Sequence, residues 1–289
     1  MRNRYLFGVL IVLCGGVFLS TSGILIRVMD HADGWQIIFF RSLTFFFTVL
    51  GLVYYQYGRK TLAAYRAIGK QGVAAAVLLG LGSACYIFAL LNTTVANVVF
   101  IIGSAPLVTA LLGWIFLKEK ISFSGFMAML FAFFGIGLMF VDGLASGGLF
   151  GNALAVFMVI TFGFYLLILR NNRTIDMVPA TGLSGMVTFC IAAVMVSGFD
   201  ISTKDLIICI GLGSFQFGLG FIFLTIGSRY LPAAEVALFA LSESILNPIW
   251  VWIGVNEVPG SYTLWGSAVV LVSVTLYCLM AIYRERQIQ

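Results

Sequence analysis

Long apolar segments with few charged side chains follow one another along the whole chain, and only short polar stretches separate them. A helix needs about 20 apolar residues to cross roughly 30 Å of hydrocarbon. Ten segments approach that length, near residues 5–28, 35–57, 72–91, 95–117, 122–141, 149–169, 178–198, 205–226, 232–254 and 262–283. The pattern predicts an all-α integral membrane protein with ten transmembrane helices.

The composition agrees with this prediction and excludes a soluble domain. Hydrophobic residues make up 61% of the 289 residues and charged residues only 9%, and the mean hydropathy is +1.08. A soluble domain carries about 25% charged residues, so this chain cannot cover a water-facing surface. The cysteines form no Cys-x-x-Cys pair, so neither a disulfide framework nor a metal site is indicated. We expect no metal and no cofactor.

The basic residues follow the alternation of the predicted spans. Cytoplasmic loops of membrane proteins carry an excess of Lys and Arg. With the N-terminus inside, thirteen of the 16 Lys and Arg residues fall on the inner side, Lys204 falls on the outer side, and Arg27 and Arg41 lie within spans. We therefore expect a multi-pass protein of a bacterial-type inner membrane with both termini cytoplasmic. Because topology explains the positive charge, no nucleic-acid partner is expected.

Two stretches of the chain resemble each other at a constant offset of 138 residues. Residues 89–121 align without gaps on 227–259, and the identical landmarks are Ala96 with Ala234, Ser104 with Ser242, Trp114 with Trp252, and Glu119 with Glu257. The second copy comes five predicted spans after the first, and an odd offset inverts the second copy in the membrane. Inverted repeats around a midplane site are typical of secondary transporters. The sequence thus predicts two inverted five-helix halves, at residues 1–141 and 142–289.

These stretches also resemble a known family. The EamA-type transporters of the drug/metabolite transporter superfamily carry repeat signatures similar to YIFALLNTTVANVVFIIGSAPLVTALLGWIFLKEK and RYLPAAEVALFALSESILNPIWVWIGVNEVP, and a second-helix Arg motif similar to FFRSLTFF. The resemblance implies ten helices in two inverted five-helix halves around a central cavity, and movement of small metabolites, often amino-acid export. The chain departs from the family pattern at Ser244, where Pro is frequent, and in the first helix, which reads CGGVFLSTSG without the common Trp.

Glu243 is the ionisable residue deepest in a predicted span. A carboxylate at the bilayer centre costs about 2.5–3.5 kcal/mol on insertion scales, so it must face a cavity, find a partner or stay protonated. Glu243 could exchange protons, hold a substrate ammonium, or brace two helices. Arg41 lies about two turns inside the second span, where it could grip a substrate carboxylate with two hydrogen bonds or act as a brace.

Uncharged polar and aromatic side chains complete the predicted site. The substrate-binding set is Glu243, Arg41, Asn97, Tyr86, Asn247, Gln216 and Trp250. For the aromatic members, contact with lipid is the alternative. Pro106 and Pro248 lack a backbone N–H and are predicted to kink the fourth and ninth helices at a gate.

Together these features predict a secondary active transporter of a small polar or zwitterionic metabolite, and specifically an amino-acid or metabolite exporter. No nucleotide-binding motif is present, so exchange, downhill flow or an ion gradient must drive it, with protons as one candidate ion. An importer of a metabolite or vitamin, an exporter of cationic drugs, and a non-transporting scaffold are the alternatives. An enzyme is not expected, because the single histidine, His31, lies in a loop and the Asp residues lie at span ends.

Overall fold

The computed structural model describes residues 2–93, 95–141, 148–256 and 261–287, and every regular element within these ranges is helical. The α-helices are α1 Arg2–Leu19, α2 Ser22–Arg27, α3 Gly34–Tyr57, α4 Thr61–Ala67, α5 Gly69–Asn92, α6 Val95–Gly103, α7 Ala105–Leu112, α8 Phe123–Val141, α9 Leu149–Asn171, α10 Val178–Met195, α11 Thr203–Gly211, α12 Gly220–Gly227, α13 Ala233–Ala240, α14 Ser242–Val255 and α15 Ser261–Gln287. A 3-10 turn covers Gly58–Lys60, and two π-helical segments cover Gly113–Leu117 and Leu212–Leu219.

Several helical stretches are long and apolar enough to cross a membrane. Within the described ranges these are Arg4–Arg27, Gly34–Ala67, Gly69–Ala89, Leu149–Asn171, Val178–Met195, Thr203–Gly227 and Ala233–Val255. Shorter apolar helices cover Ala105–Leu117, Phe123–Leu138 and Leu264–Tyr277. The prediction of an all-helical, multi-pass membrane protein is confirmed. The number of crossings, their inversion and the orientation of the termini stay predictions.

Three of the predicted spans contain a break in the helix. The first span breaks between α1 and α2, where the Ser20 and Thr21 hydroxyls donate to carbonyl oxygens three residues earlier, at 2.6 and 2.8 Å. Such hydroxyls compete with the helical backbone hydrogen bonds. The fourth span breaks at Ser104, between α6 and α7, and the ninth breaks at Leu241, between α13 and α14. The breaks expose helix ends inside the molecule.

The two prolines predicted at a gate lie at different positions relative to these breaks. Pro106 lies in the first turn of α7, where the absence of its N–H is tolerated. The ninth span breaks at Leu241, and α14 then continues through position 248 to Val255. The side chain of Pro248 lies outside the described residues. Because proline has no backbone N–H, it cannot donate to the carbonyl four residues earlier at either position.

The helices pack closely around buried hydroxyl groups. Tyr165 of α9 has no exposed surface, and its hydroxyl lies 3.0 Å from the hydroxyl of Thr181 on α10 and 2.9 Å from that of Thr225 on α12. Glycines let neighbouring backbones approach: a Cβ added to Gly80 of α5 would lie 2.9 Å from the Ser184 carbonyl oxygen of α10. Small residues serve this purpose at helix contacts in membranes.

Gly213, in the π-helical segment Leu212–Leu219, makes the tightest of these approaches to α3. A Cβ added there would overlap the Thr44 hydroxyl and the Arg41 carbonyl oxygen and would lie 2.9 Å from the Phe45 backbone nitrogen. We expect Gly213→Ala to lower the free energy of unfolding by about 1–3 kcal/mol, because backbone atoms cannot move aside as a flexible side chain can.

The matched control is Gly211→Ala in the same predicted span, because a Cβ there meets nothing within 4 Å. This control should be neutral or slightly stabilising, since alanine is favoured over glycine by about 1 kcal/mol in a helix. Thermal unfolding in one detergent measures both variants. Equal stability of the two proteins would contradict the close contact.

At the end of the molecule predicted to be outside, the loop after α2 is tied to the start of α11. Asp205 is fully buried, and its carboxylate accepts backbone N–H groups from Asp30, His31 and Ala32 at 2.9, 3.1 and 3.1 Å. The Lys204 ammonium contacts the Asp30 carboxylate at 2.6 Å. Backbone donors therefore hold the loop to α11.

Candidate functional site

Arg41 is a buried cation in α3. Its guanidinium donates to the Ser83 hydroxyl of α5 at 3.0 Å and lies 4.7 Å from the centre of the Phe217 ring. Only 8% of the residue is exposed, yet no carboxylate among the described residues pairs with it. A guanidinium has five N–H donors in a planar fork, so most of its hydrogen-bonding capacity has no acceptor in the described protein.

The π-helical segment explains why an aromatic ring faces Arg41. Phe217 and Gln216 lie in Leu212–Leu219, where the backbone is wider than an α-helix. Gly213 lets this segment contact α3 at the level of Arg41 and Thr44. Such π-helical turns are rare and occur frequently at functional sites. The local widening places the Phe217 ring against the guanidinium, and a cation is attracted to the face of an aromatic ring.

Glu243 occupies the first turn of α14, directly after the break at Leu241. Its side chain is partly exposed, and no described residue donates a hydrogen bond to it or forms an ion pair with it. The helix N-terminus favours a nearby negative charge through the helix dipole. A carboxylate without a described protein partner thus lies at a helix end, directly after a break in a predicted span.

Tyr86 of α5 lies within the electrostatic range of both Glu243 and Arg41, without a described hydrogen bond to either. Its ring packs against two apolar clusters, one that contains Ile38 of α3 and one that contains Ala155 of α9. The structure describes no ion pair between Glu243 and Arg41.

Three other predicted site residues contact the break in the first span. The Trp250 indole N–H donates to the Ser20 hydroxyl at 2.8 Å, and the Asn247 amide donates to the Ser22 hydroxyl at 3.4 Å. The Gln216 amide donates to the Leu19 carbonyl at 3.1 Å. These contacts hold the break between α1 and α2 against α14 and the π-helical segment. All three side chains therefore point toward that break.

Two buried polar atoms next to Glu243 and the break have no hydrogen-bond partner among the described residues. They are the side-chain oxygen of Gln216 and the hydroxyl oxygen of Ser242. Leaving a buried polar atom unpaired costs about 1–3 kcal/mol. The Ser242 hydroxyl packs against Gly16 of α1, where an added Cβ would overlap it. Asn97 also belongs to the predicted site. It lies in α6, but its side chain lies outside the described residues.

Some residues that form the site were not predicted as members. Ser83 and Phe217 contact the Arg41 guanidinium, and Ser20 accepts from Trp250. The polar run Ser-Thr-Ser in an otherwise apolar first span was a signal for Ser20. The chain has 27 Phe residues, so nothing in the sequence distinguished Phe217 from the others.

A cavity of about 430 Å³ lies at the end of the molecule opposite Asp205. Glu235 of α13 lines it and accepts hydrogen bonds from the Tyr5 hydroxyl at 2.7 Å and the Tyr277 hydroxyl at 2.6 Å. Glu119 lines the same cavity and pairs with Arg170 at 3.0 Å. Unlike Glu243, both of these carboxylates have protein partners. Glu235 joins α13 to α1 and α15, and Glu119 joins the segment before α8 to α9.

We expect Tyr277→Phe to lower the free energy of unfolding by about 1.5–3 kcal/mol, because hydrogen bonds to a charged group are worth that much and the Glu235 carboxylate loses a donor. Tyr262→Phe on the same helix is the control, since Tyr262 is exposed. Chemical unfolding in detergent measures both variants. If Tyr277→Phe is no less stable than Tyr262→Phe, the Tyr277–Glu235 bond does not brace the helices.

Comparison with known proteins places the chain in a family. The model of the EamA-like transporter family matches residues 6–141 and again residues 149–279. Two proteins named uncharacterized transporter, from Helicobacter pylori strains J99 and 26695, are 24% and 25% identical, with 99% of both chains covered in each case. A solved crystal structure has the same fold, with a TM-score of 0.78, 16% identity, and 96% of this chain and 98% of that chain covered. The chain belongs to the EamA-like transporter family and is a membrane transporter.

Proposed function

We propose that this transporter moves a small zwitterionic metabolite, of the amino-acid class, through a central cavity bordered by Glu243, Arg41 and Tyr86. The carrying observation is that two predicted spans hold a buried base, Arg41, and an acid at a helix break, Glu243, and that neither forms a described ion pair. A zwitterion supplies the missing partners: its carboxylate binds Arg41 and its ammonium binds Glu243. Gln216, Asn247, Trp250 and Asn97 complete the proposed cavity.

The opposite charges favour a zwitterion over the other ligand classes. A cationic drug would find a partner in Glu243, but it would enter the field of the buried Arg41 guanidinium, whose like charge repels it. An anion would meet the reverse problem at Glu243. Removing the ligand leaves both charges unpaired, which is costly in a membrane, and binding relieves both costs together.

Several observations support two inverted five-helix halves, at residues 1–141 and 142–289. The helix break at Ser104 in the first half has a counterpart at Leu241 in the second. Lys118 and Asn256 are the described non-glycine residues with positive φ, 55° and 56°, and they are 138 positions apart, which is the offset of the sequence repeat. The same family model matches the chain twice. A duplicated chain accounts for all three observations.

Export across an inner membrane, driven by protons or by exchange, is the proposed mode of transport. Broken helices near the midplane are a feature of alternating-access transporters, whose halves rock around a fixed site. Glu243 can serve as the proton carrier, because a carboxylate that loses its ligand in a membrane is stabilised by protonation. Proton uptake at Glu243 would then accompany substrate release.

A screen for thermal stabilisation of the purified protein tests the ligand class. The compounds are the amino acids, a set of vitamins, and a set of organic cations, each at the same concentration. We expect stabilisation by one or more zwitterionic amino acids and uptake of that compound into proteoliposomes. Stabilisation by cations alone would contradict the zwitterion, and a stabilising compound that never crosses the liposome membrane would favour a binding scaffold.

The orientation has its own test. A reporter fused after Gln289 should be active on the cytoplasmic side, and one inserted in the segment 142–148 should be active on the periplasmic side, because thirteen basic residues fall on one predicted side and Lys204 alone on the other. A phosphatase reporter and a fluorescent reporter at each site provide opposite readouts. Matching signals from the two sites would exclude the ten-span arrangement.

A further inference from the structure

A basic segment joins two membrane-spanning helices at residues 58–70. It contains α4, it has no acidic residue, and its basic residues are Arg59, Lys60, Arg66 and Lys70. The helices α3 and α5 that it joins have 24 residues each, which is long enough to cross a membrane. The segment that joins their neighbouring ends therefore lies at a membrane surface, whichever side of the membrane that is.

Two glycines fix the shape of the basic segment. Gly58 has a φ of 53° and Gly69 a φ of 58°, a backbone conformation that glycine adopts without steric cost. One glycine turns the chain after α3 and the other turns it into α5. Leu62, which is 61% exposed, lies on α4 between these corners. The short helix thus combines an exposed apolar residue with the surrounding positive charge.

A shallow cavity of about 470 Å³ lies between α4 and the start of α5. Its lining residues are Tyr65, Arg66, Gly69, Lys70 and Val73. Arg66 and Lys70 are exposed, and no described carboxylate pairs with any of the four basic residues of the segment. The first turn of α5 also borders the cavity, and no side chain caps its N–H groups. A helix N-terminus of this kind favours an anion.

We propose that this cavity binds the phosphate headgroup of an acidic phospholipid. Arg66 and Lys70 contact the phosphate, with arginine providing a planar fork that matches two phosphate oxygens. Leu62 and Val73, which are both exposed, contact the upper part of the acyl chains. Basic clusters next to membrane helices attract anionic lipids, and a cavity between helices selects a headgroup. The proposal does not depend on the transported substrate.

The test uses the full-length protein in a neutral detergent, with dioleoyl-phosphatidylglycerol or dioleoyl-phosphatidylcholine added at increasing concentration. We expect phosphatidylglycerol to raise the melting temperature more than phosphatidylcholine and to remain bound in native mass spectra. Arg66→Gln with Lys70→Gln should need at least tenfold more phosphatidylglycerol for the same shift, because each basic residue in contact with the anionic headgroup contributes roughly fivefold. The single variants should each need about fivefold more.

The matched control is Lys120→Gln with Arg173→Gln, which removes two exposed basic residues for which the structure describes no ion pair. It should respond to phosphatidylglycerol like the parent. Equal loss in both double variants, or equal shifts of the parent by the two lipids, would overturn the site. Glycerol 1-phosphate, as a soluble arm, should give no shift at these concentrations. An equal shift would assign the cavity to a soluble phosphate ester and overturn the lipid.

Discussion

Replacing Glu243 with Gln is expected to lower transport by about 30-fold or more while leaving the protein folded. Truncating one partner of a buried charged contact costs about 2–5 kcal/mol. The proposed partner of Glu243 during transport is a substrate ammonium or a proton. The fold should be insensitive, because no described residue bonds to the Glu243 carboxylate and glutamine has the same shape. Removing an unpaired carboxylate from a membrane segment also removes the free-energy cost of placing its charge there.

Thermal stability and liposome flux, measured side by side on purified Glu243→Gln, test this expectation with the substrate that the stabilisation screen identifies. Glu119→Gln is the control carboxylate, because its ion pair with Arg170 lies at the other cavity. The control should lose some stability and keep its transport per folded molecule. A Glu243→Gln variant that transports like the parent, or loses activity only in proportion to stability, would make Glu243 a brace.

The pH dependence of the same variant separates the two roles of the carboxylate. If Glu243 carries protons, Glu243→Gln should lose the pH dependence of net transport and keep exchange, because exchange needs no change of protonation. If Glu243 holds a substrate ammonium, affinity should fall at every pH.

Arg41→Gln is expected to have the second largest effect, again a loss of transport of about 30-fold or more for a substrate with a carboxylate. Arg41→Lys should be intermediate, because lysine keeps the charge and loses the planar fork. Stability should change little, since the lost bond to Ser83 is offset by removal of a buried charge without a described partner.

Ser83→Ala is the matched control for Arg41, because it removes the described hydrogen bond and leaves the guanidinium in place. It should transport within a few fold of the parent. A Ser83→Ala variant as impaired as Arg41→Gln would mean that the bond between α3 and α5 is the function of Arg41. Arg41→Gln should also bind organic cations more tightly than the parent, because the like charge that repels them is removed. Unchanged binding of cations would contradict the proposed role of Arg41.

The class of fold could be predicted from the sequence, because the length and hydrophobicity of each apolar segment can be counted directly. The depth of Glu243 and Arg41 could also be read directly, as charges inside apolar runs. The family resemblance rested on the segments around Ser104 and Ser242, and the family match over residues 6–141 and 149–279 confirms it.

The details of the site depended on contacts that no local pattern encodes. Pro248 suggested a kink at its own position, whereas the ninth span breaks at Leu241. The π-helical segment around Gln216 has an apolar sequence that fits an ordinary helix equally well, and its widening accompanies the close approach of Gly213 to α3. Trp250 was predicted to wall a pocket, and its N–H bond to Ser20 depends on a helix break that lies 230 residues away in the chain.

The Asp205 contacts have a consequence for how the loop after α2 can be released. Because the donors are backbone amides of Asp30, His31 and Ala32, substitution of those three side chains would not release the loop, whereas loss of the Asp205 carboxylate would release all three bonds. The three bonds therefore hold the loop to α11 at the Asp205 end of the molecule, and the 430 Å³ cavity lies at the opposite end. Under the export proposed above, we expect Asp205→Asn to alter the rate at which this end of the molecule opens to release substrate.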